Sequence, residues 1–212
     1  MVNRELKNYI ENNIFPEYLK NEEGHGINHI NTVISRSIKL AGDYDVNLDM
    51  VYTIAAFHDI GHHIDKSKHE KISAEIMYED NNLKKWFSSN ELLIIKEAIE
   101  DHRASLNGEP RSIYGKIISS ADRTIIDIDN TIKRTYLYGK KHEKDYSHND
   151  LVNRVYEHLT DKYGENGYAK CYIRDEEFEN AINKLRNMLI DRESFLRHVE
   201  DVVKDIKMLK NS

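Results

Sequence analysis

The sequence predicts an all-α protein, and three observations carry that reading. Glycine and proline, the residues that punctuate many-turned β folds, number only nine and two in 212. Glu, Lys, Leu, Ile and Asn dominate the composition instead. Apolar residues also recur at three- and four-residue spacing through most of the chain, the period of a helix that buries one face. The length allows one substantial core or two small ones. We read a single domain over 1–212, with additional C-terminal helices from about residue 148.

The first helical pattern runs from Leu6 to Leu19. The second carries Ile27, Ile30, Val33, Ile34, Ile38 and Ala41, with Gly42 as its stop. Asn47 is the expected N-cap of a third helix, whose Leu48, Val51, Ile54, Ala55 and Phe57 lead to Gly61 in a left-handed closing position. The pair His58-Asp59 then falls in that helix's last turn. "SKHE" (67–70) and "SSNE" (88–91) both read as capping boxes, in which hydroxyl and carboxylate satisfy free backbone amides reciprocally, and predict helices over about 68–80 and 89–102. After the loop "RASLNGEP" the period resumes at Ile113, Ile117, Ile118, Ala121, Ile125, Ile128 and Ile132, and is expected to continue towards Tyr138 with Asp122 in mid-helix. Residues 139–148 read as a polar loop. A helix with Leu151, Val152, Val155, Tyr156 and Leu159 follows, and "YGENGYAKCYIRD" breaks the pattern. One last long helix is marked by Phe178, Ile182, Leu185, Leu189, Leu196, Val199, Val203 and Ile206. This C-terminal pair packs on the rest of the chain or against a second copy, which leaves room for a homodimer.

Charged residues make up 32% of the chain and the formal net charge is -6. That balance lacks the basic surface of a generic duplex binder, so long DNA or RNA is not the expected partner. The start "MVNRELKNYIENNIF" has no apolar signal stretch, and no run approaches the roughly 18 apolar residues of a membrane span. A lone cysteine, Cys171, fits a reducing cytoplasm. It also precludes an intramolecular disulfide or a thiolate zinc cage, so any metal must be held by nitrogen and oxygen.

Seven of the eleven histidines precede residue 103: His25, His29, His58, His62, His63, His69 and His102. The stretch "AAFHDIGHH" concentrates three of them with Asp59. Neighbours on a helix point about 100° apart, so His58 and Asp59 share a partner only if an ion lies close against the helix, which Ala55 and Ala56 would permit. A histidine capping its own helix C-terminus is the competing reading of His58. His29 borders the apolar face of the second helix, where a satisfied core histidine is the ordinary explanation. Asp122, among Ile118, Ala121 and Ile125, requires a metal, an arginine or simple exposure. His69 and His102 both fall near helix ends, where surface histidines are common. Lys66, Arg103, Arg123, Arg134 and Lys140 are candidate phosphate contacts that could equally be solvated surface.

The order His29, then His58-Asp59, then Asp122 resembles the H…HD…D signature of the HD-domain metal-dependent phosphohydrolases. "HINTVISRSIKLA" looks like the first ligand helix of that family, "IAAFHDIGHH" like the second, and "IISSADR" like the helix of the final aspartate. "KHEKISAEIM" and "EAIEDH" are similar to the added histidine positions of dinuclear members, and "RTYLYGK" to a subgroup of small bacterial HD hydrolases. The resemblance covers about residues 25–140. It implies an all-α HD-domain helical bundle in which His29, His58, Asp59 and Asp122 hold a first divalent ion. His69 and His102, with Asp59 as bridge, would hold a second. Mn, Fe, Co, Ni or Zn are the implied ions, one or two of them, with Mg also allowed.

Many relatives keep lysine directly after "HDIG", where this chain has His62. Asp59, His62 and Lys66 are therefore the residues expected at the reacting groups, with Lys66, Arg123 and Arg134 on the substrate. The implied reaction is hydrolysis of a nucleotide or related small phosphate compound by a metal-activated water. Neither "GxxxxGK[ST]" nor "GxGxxG" occurs, so phosphates must be held by metal and scattered cations. Phosphodiester hydrolysis of cyclic or dinucleotide substrates, and a non-catalytic module that binds a nucleotide or a partner, are the alternatives.

Overall fold

The computed structural model describes residues 1–123 and 127–208, and among them it holds ten α-helices and no strand. They group into two compact units, one of residues 1–123 and 171–174, the other of the described residues within 127–170 and 175–208. The all-α class is as expected.

In the first unit, Asn3 accepts hydrogen bonds from the amides of Glu5 and Leu6 and so opens α1 (Arg4–Asn13). The apolar spacing continues to Leu19, but the helix does not. Pro16 has no N–H for the ladder, and the chain tightens into a 3-10 turn, Phe15–Lys20. Helix α2 (Ile27–Ala41) has its expected limits. Asn47 caps α3 (Leu48–Phe57), in which every side chain from Met50 to Phe57 is buried. A helix apolar on all sides belongs at the centre of its unit, and α3 packs against α2, α5 and α6.

Two local expectations around α3 and α4 are corrected. Helix α3 ends at Phe57 with His58 as C-cap, and Gly61 is not left-handed, since Gly108 is the one positive-φ glycine among the described residues. Gly61 is needed for closeness instead. A Cβ there would lie 2.7 Å from Ile72 Cγ2 and 2.9 Å from the Ser73 nitrogen, while the Gly61 amide donates to Ser73 Oγ at 2.9 Å. Helix α4 (His69–Glu79) starts without a side-chain cap, because Ser67 turns back to donate its amide and hydroxyl to Asp65. The second capping box forms as expected at Ser88 and Glu91, opening α5 (Ser89–Glu100).

Helix α6 (Ile113–Ala121) stops at Asp122, which is its C-cap and not a mid-helix residue. Ile125 lies outside the described residues. The periodicity that suggested one helix resumes as α7 (Ile128–His142), N-capped by Asp127 through the Asn130 amide. Apolar spacing can pass through a break because a cap acts on the backbone, not on the buried face. The segment 171–174 completes the first unit: Ser120 Oγ accepts from the amides of Tyr172 and Ile173 at 2.8 and 3.1 Å.

The second unit comprises α7, α8 (His148–Tyr163), α9 (Glu176–Ile190) and α10 (Arg192–Met208). Its core contains Ile132, Tyr136, Val155, Leu159, Leu185, Phe195 and Val199. Residues 139–142, expected in a loop, are helical. The expected last helix is two, because Asp191 adopts extended backbone and its carboxylate accepts from the Ser194 amide. No described helix is long and apolar enough to cross a membrane.

Candidate metal centre

Three histidines are aimed by the same device. His58 Nδ1 lies 2.9 Å from the Ala55 carbonyl oxygen at the end of α3. His102 Nδ1 lies 2.6 Å from the Ile99 carbonyl at the end of α5, and His69 Nδ1 lies 2.9 Å from the Lys66 carbonyl at the start of α4. A carbonyl oxygen can only accept, so each Nδ1 carries the proton and donates it three residues back. Whenever such a ring is neutral, its lone pair is thereby placed on Nε2. The capping reading of His58 is thus correct for one nitrogen and leaves the other available.

Those Nε2 atoms converge on Asp59, and its two oxygens face different sets. Oδ2 is 3.5 Å from His58 Nε2 and 3.6 Å from His29 Nε2. Oδ1 is 3.4 Å from His69 Nε2 and 3.5 Å from His102 Nε2. Asp122 Oδ1 adds a fourth donor beside the first set, 3.1 Å from His29 Nε2 and 3.8 Å from His58 Nε2. In the second set, His69 Nε2 and His102 Nε2 stand 3.1 Å apart. Two donors bonded at about 2.0–2.2 Å to one ion are separated by about 2.9–3.6 Å, depending on octahedral or tetrahedral geometry. Six of these seven separations fall in that range, and the His58–Asp122 separation falls just outside it.

The site is built for positive charge. Nε2 of His29 and Nε2 of His58 are buried without a hydrogen-bond partner, although carboxylate oxygens stand close by. An unprotonated imidazole nitrogen facing a carboxylate oxygen sets lone pair against lone pair, an arrangement that a cation between them relieves. Without an ion, a proton would do the same for His58. Burial disfavours its charged form, but Asp59 and Asp122 outweigh burial and lift its pKa to about 9. Burial likewise opposes ionisation of Asp59, and His58, His102 and His25 hold that carboxyl well below the usual range. For Asp122 burial is outweighed in the same way by His29 and His58. For His69, burial and then His102 push the pKa down. The residues fit a divalent ion, and groups able to hold one are His25, His29 and Asp59; His29, His58 and Asp122; and His58, Asp59 and His102.

Comparison with known families adds the framework for this geometry. Residues 26–127 match the model of the HD domain, a span that contains His29, His58, Asp59, His69, His102 and Asp122. That stretch is similar to the HD domain. A solved structure described as a predicted HD superfamily hydrolase, from an uncultured Thermotogales bacterium, is similar at 22% identity. The similarity covers 74% of this chain and 87% of that one, with a TM-score of 0.48. No curated protein matches.

Within residues 26–127, the six expected ligands His29, His58, Asp59, His69, His102 and Asp122 are thus gathered in one place. Asp122 is held there by α6, whose last carbonyl, Ala121, accepts from Arg36 Nε at 3.0 Å. Arg123, expected on substrate, is buried. Its guanidinium donates to the His102 carbonyl at 3.2 and 3.3 Å and to Ser119 Oγ at 2.9 Å, with Asp122 Oδ2 at 3.5 Å. Lys66 pairs with Glu22, Nζ to Oε2 2.7 Å. Arg134 belongs to the second unit, exposed on α7, and is not among the residues gathered here.

His62 is buried, and burial and then His25 lower its pKa to about 4. Its ring stacks on His25 with centroids 3.8 Å apart. His63 is exposed and pairs with Asn21. His25 itself was not an expected site residue, yet its Nδ1 is 2.6 Å from Asp59 Oδ2. The "GHGINH" spacing places it one helical turn before His29, and that is the only sequence signal it carries.

Proposed function

We propose that this protein is a metal-dependent phosphohydrolase acting on a nucleotide or related small phosphate ester or anhydride. One observation carries the reading: a single carboxylate, Asp59, turns its two oxygens to two histidine sets whose donor spacings suit divalent ions. When bound, the metal supplies an acidified water and neutralises negative oxygens on substrate. The protein's part is placement. His58, His69 and His102 hold their Nε2 atoms in fixed directions through carbonyl bonds, so ligand geometry is formed before substrate arrives. Asp59 and Asp122 stay ionised at neutral pH and supply the negative charge that retains cations.

Lys66 and His62 are the substrate-side candidates in the same unit. Lys66 reaches a phosphate only by exchanging Glu22 for it, a trade that a dianionic group favours in a partly exposed site. The buried His62 ring is neutral at pH 7, and its Nδ1 lacks a hydrogen-bond partner among the described residues.

The test is a metal-supplemented screen of nucleoside mono-, di- and triphosphates, dinucleotides and cyclic dinucleotides, run beside elemental analysis of the purified protein. Release of phosphate or nucleoside product with Mn, Fe, Co, Ni or Zn present, abolished by chelator, is the expected result. Turnover confined to cyclic or dinucleotide substrates would make it a phosphodiesterase. Stoichiometric metal with no turnover of any of them would favour a binding module. Less than a tenth of an equivalent of metal, with no gain on addition, would overturn the enzyme reading.

A further inference from the structure

His25 stands apart from the other histidines of the cluster in the separation it keeps from Asp59. At 2.6 Å its Nδ1 is closer to Asp59 Oδ2 than two donors on one ion can be, since that edge is about 2.9 Å or longer. The distance is that of a charge-assisted hydrogen bond, with Nδ1–H donating to the carboxylate. His29 and His58 approach the same oxygen at 3.6 and 3.5 Å, so one Asp59 oxygen meets both a proton donor and two ligand nitrogens.

The position of His25 is fixed from two sides. Asn21 donates through Nδ2 to the His25 carbonyl at 3.0 Å and to the Asp59 carbonyl at 2.9 Å. Its Oδ1 accepts from His63 N at 3.0 Å, with His63 Nδ1 at 3.1 Å. That amide employs both N–H donors and both carbonyl lone pairs to tie the segment before α2 to the turn that presents Asp59. The His62 ring, inclined by only 18° to the His25 ring, fixes its plane. Thr, Ser or water could hydrogen-bond a carboxylate as well, but none would be clamped through its own backbone carbonyl to the backbone of the carboxylate it serves.

We propose that His25 is a positioning residue: held by Asn21 and stacked on His62, its Nδ1–H orients Asp59 so that the carboxylate bridges the two histidine sets. The inference rests on the metal-centre reading above. It assigns His25 to no ion, in contrast to His29 one turn later. Loss of this donor frees Asp59 to rotate about its side-chain bonds, which degrades both positions together and not one of them.

Two substitutions separate the donor from the ring. His25→Phe keeps a ring to stack on His62 and removes the donor. His25→Asn removes the ring, and its amide nitrogen can occupy the place of Nδ1. Metal affinity is read by chelator competition and ligand geometry by the visible absorption of the Co(II)-loaded protein, with circular dichroism as the control for folding. The expected result is about 10–100-fold weaker binding of Co(II) and an altered spectrum in His25→Phe, the range typical for loss of a ligand's hydrogen-bond partner. His25→Asn is expected to restore most of both. Wild-type affinity and spectrum in His25→Phe would overturn the proposal, and so would loss of one equivalent of metal in both variants, which would make His25 a ligand. Absence of Co(II) uptake by the unsubstituted protein would instead refute the metal centre itself, and the positioning role with it.

Discussion

Asp59 is the residue on which both halves of the proposed centre depend, and the consequences differ from those of its neighbours. Asp59→Ala should abolish metal retention and hydrolysis together while the helical circular dichroism stays near that of the parent, since Asp59 follows α3 and is not part of it. His69→Ala removes a donor from one oxygen's set only. Metal content by elemental analysis should then fall by about half, and an unchanged ratio would point to a mononuclear centre. The proton on His58 yields a third expectation. With its pKa raised to about 9, the metal-free ring is charged at neutral pH, and an ion at Nε2 must expel that proton. Affinity should therefore rise with pH up to about 9 and fall below it, and calorimetric titrations in buffers of different ionisation enthalpy should report proton release on binding. Metal uptake independent of pH between 6 and 9 would count against His58 as a ligand.

Helix ends and the turns between helices decide where these side chains point. Gly61 shows how tight that placement is, because the turn after Asp59 lies against Ile72 and Ser73 on α4. Gly61→Ala forces one of them apart and should cost about 1–3 kcal/mol, the usual range for overpacking a core, read as a lowered urea midpoint. Unchanged stability would show that α4 can yield. At this scale the sequence was informative about faces and less so about ends. The limits of α2 and the cap at Asn47 follow from local rules. The stops at Pro16, Asp122 and Asp191 interrupt stretches whose apolar spacing runs on, since burial selects side chains whereas caps select backbone. His29, His58, Asp59, His69, His102 and Asp122 were legible because they stand in recognisable order on or beside helices. His25 was not, because its contact with Asp59 depends on how the short 3-10 turn Glu23–His25 folds back, a matter of tertiary packing that no period encodes.

For the whole molecule, the division into two units sets where a bound ion should be felt. All six expected ligands lie in residues 1–123, with α7 to α10 in the other unit. A ligand that binds only the folded state stabilises it by about 2.7 kcal/mol at a concentration one hundred times its dissociation constant. Hydrogen exchange with and without metal should therefore show added protection in α2, α3, α5 and α6. Helices α8 and α9 should exchange as before. Equal protection across both units would show that they unfold as one cooperative body. The net charge of -6 also bears on this scale, since an acidic protein attracts cations to its carboxylates and repels phosphate until those cations are in place.

The carbonyl bonds of His58, His69 and His102 tie each ring to a residue three positions earlier, and this makes the centre sensitive to register within a helix as well as to residue identity. Exchanging one apolar side chain of α3 for another leaves the count from Ala55 to His58 intact. Inserting a single residue between Asn47 and Ala55 keeps that bond too, yet turns everything after it by about 100° against the neighbouring helices, which carries His58 away from His29 and Asp122. The length of α3 before His58 is thus as much a part of the site as the side chains it buries.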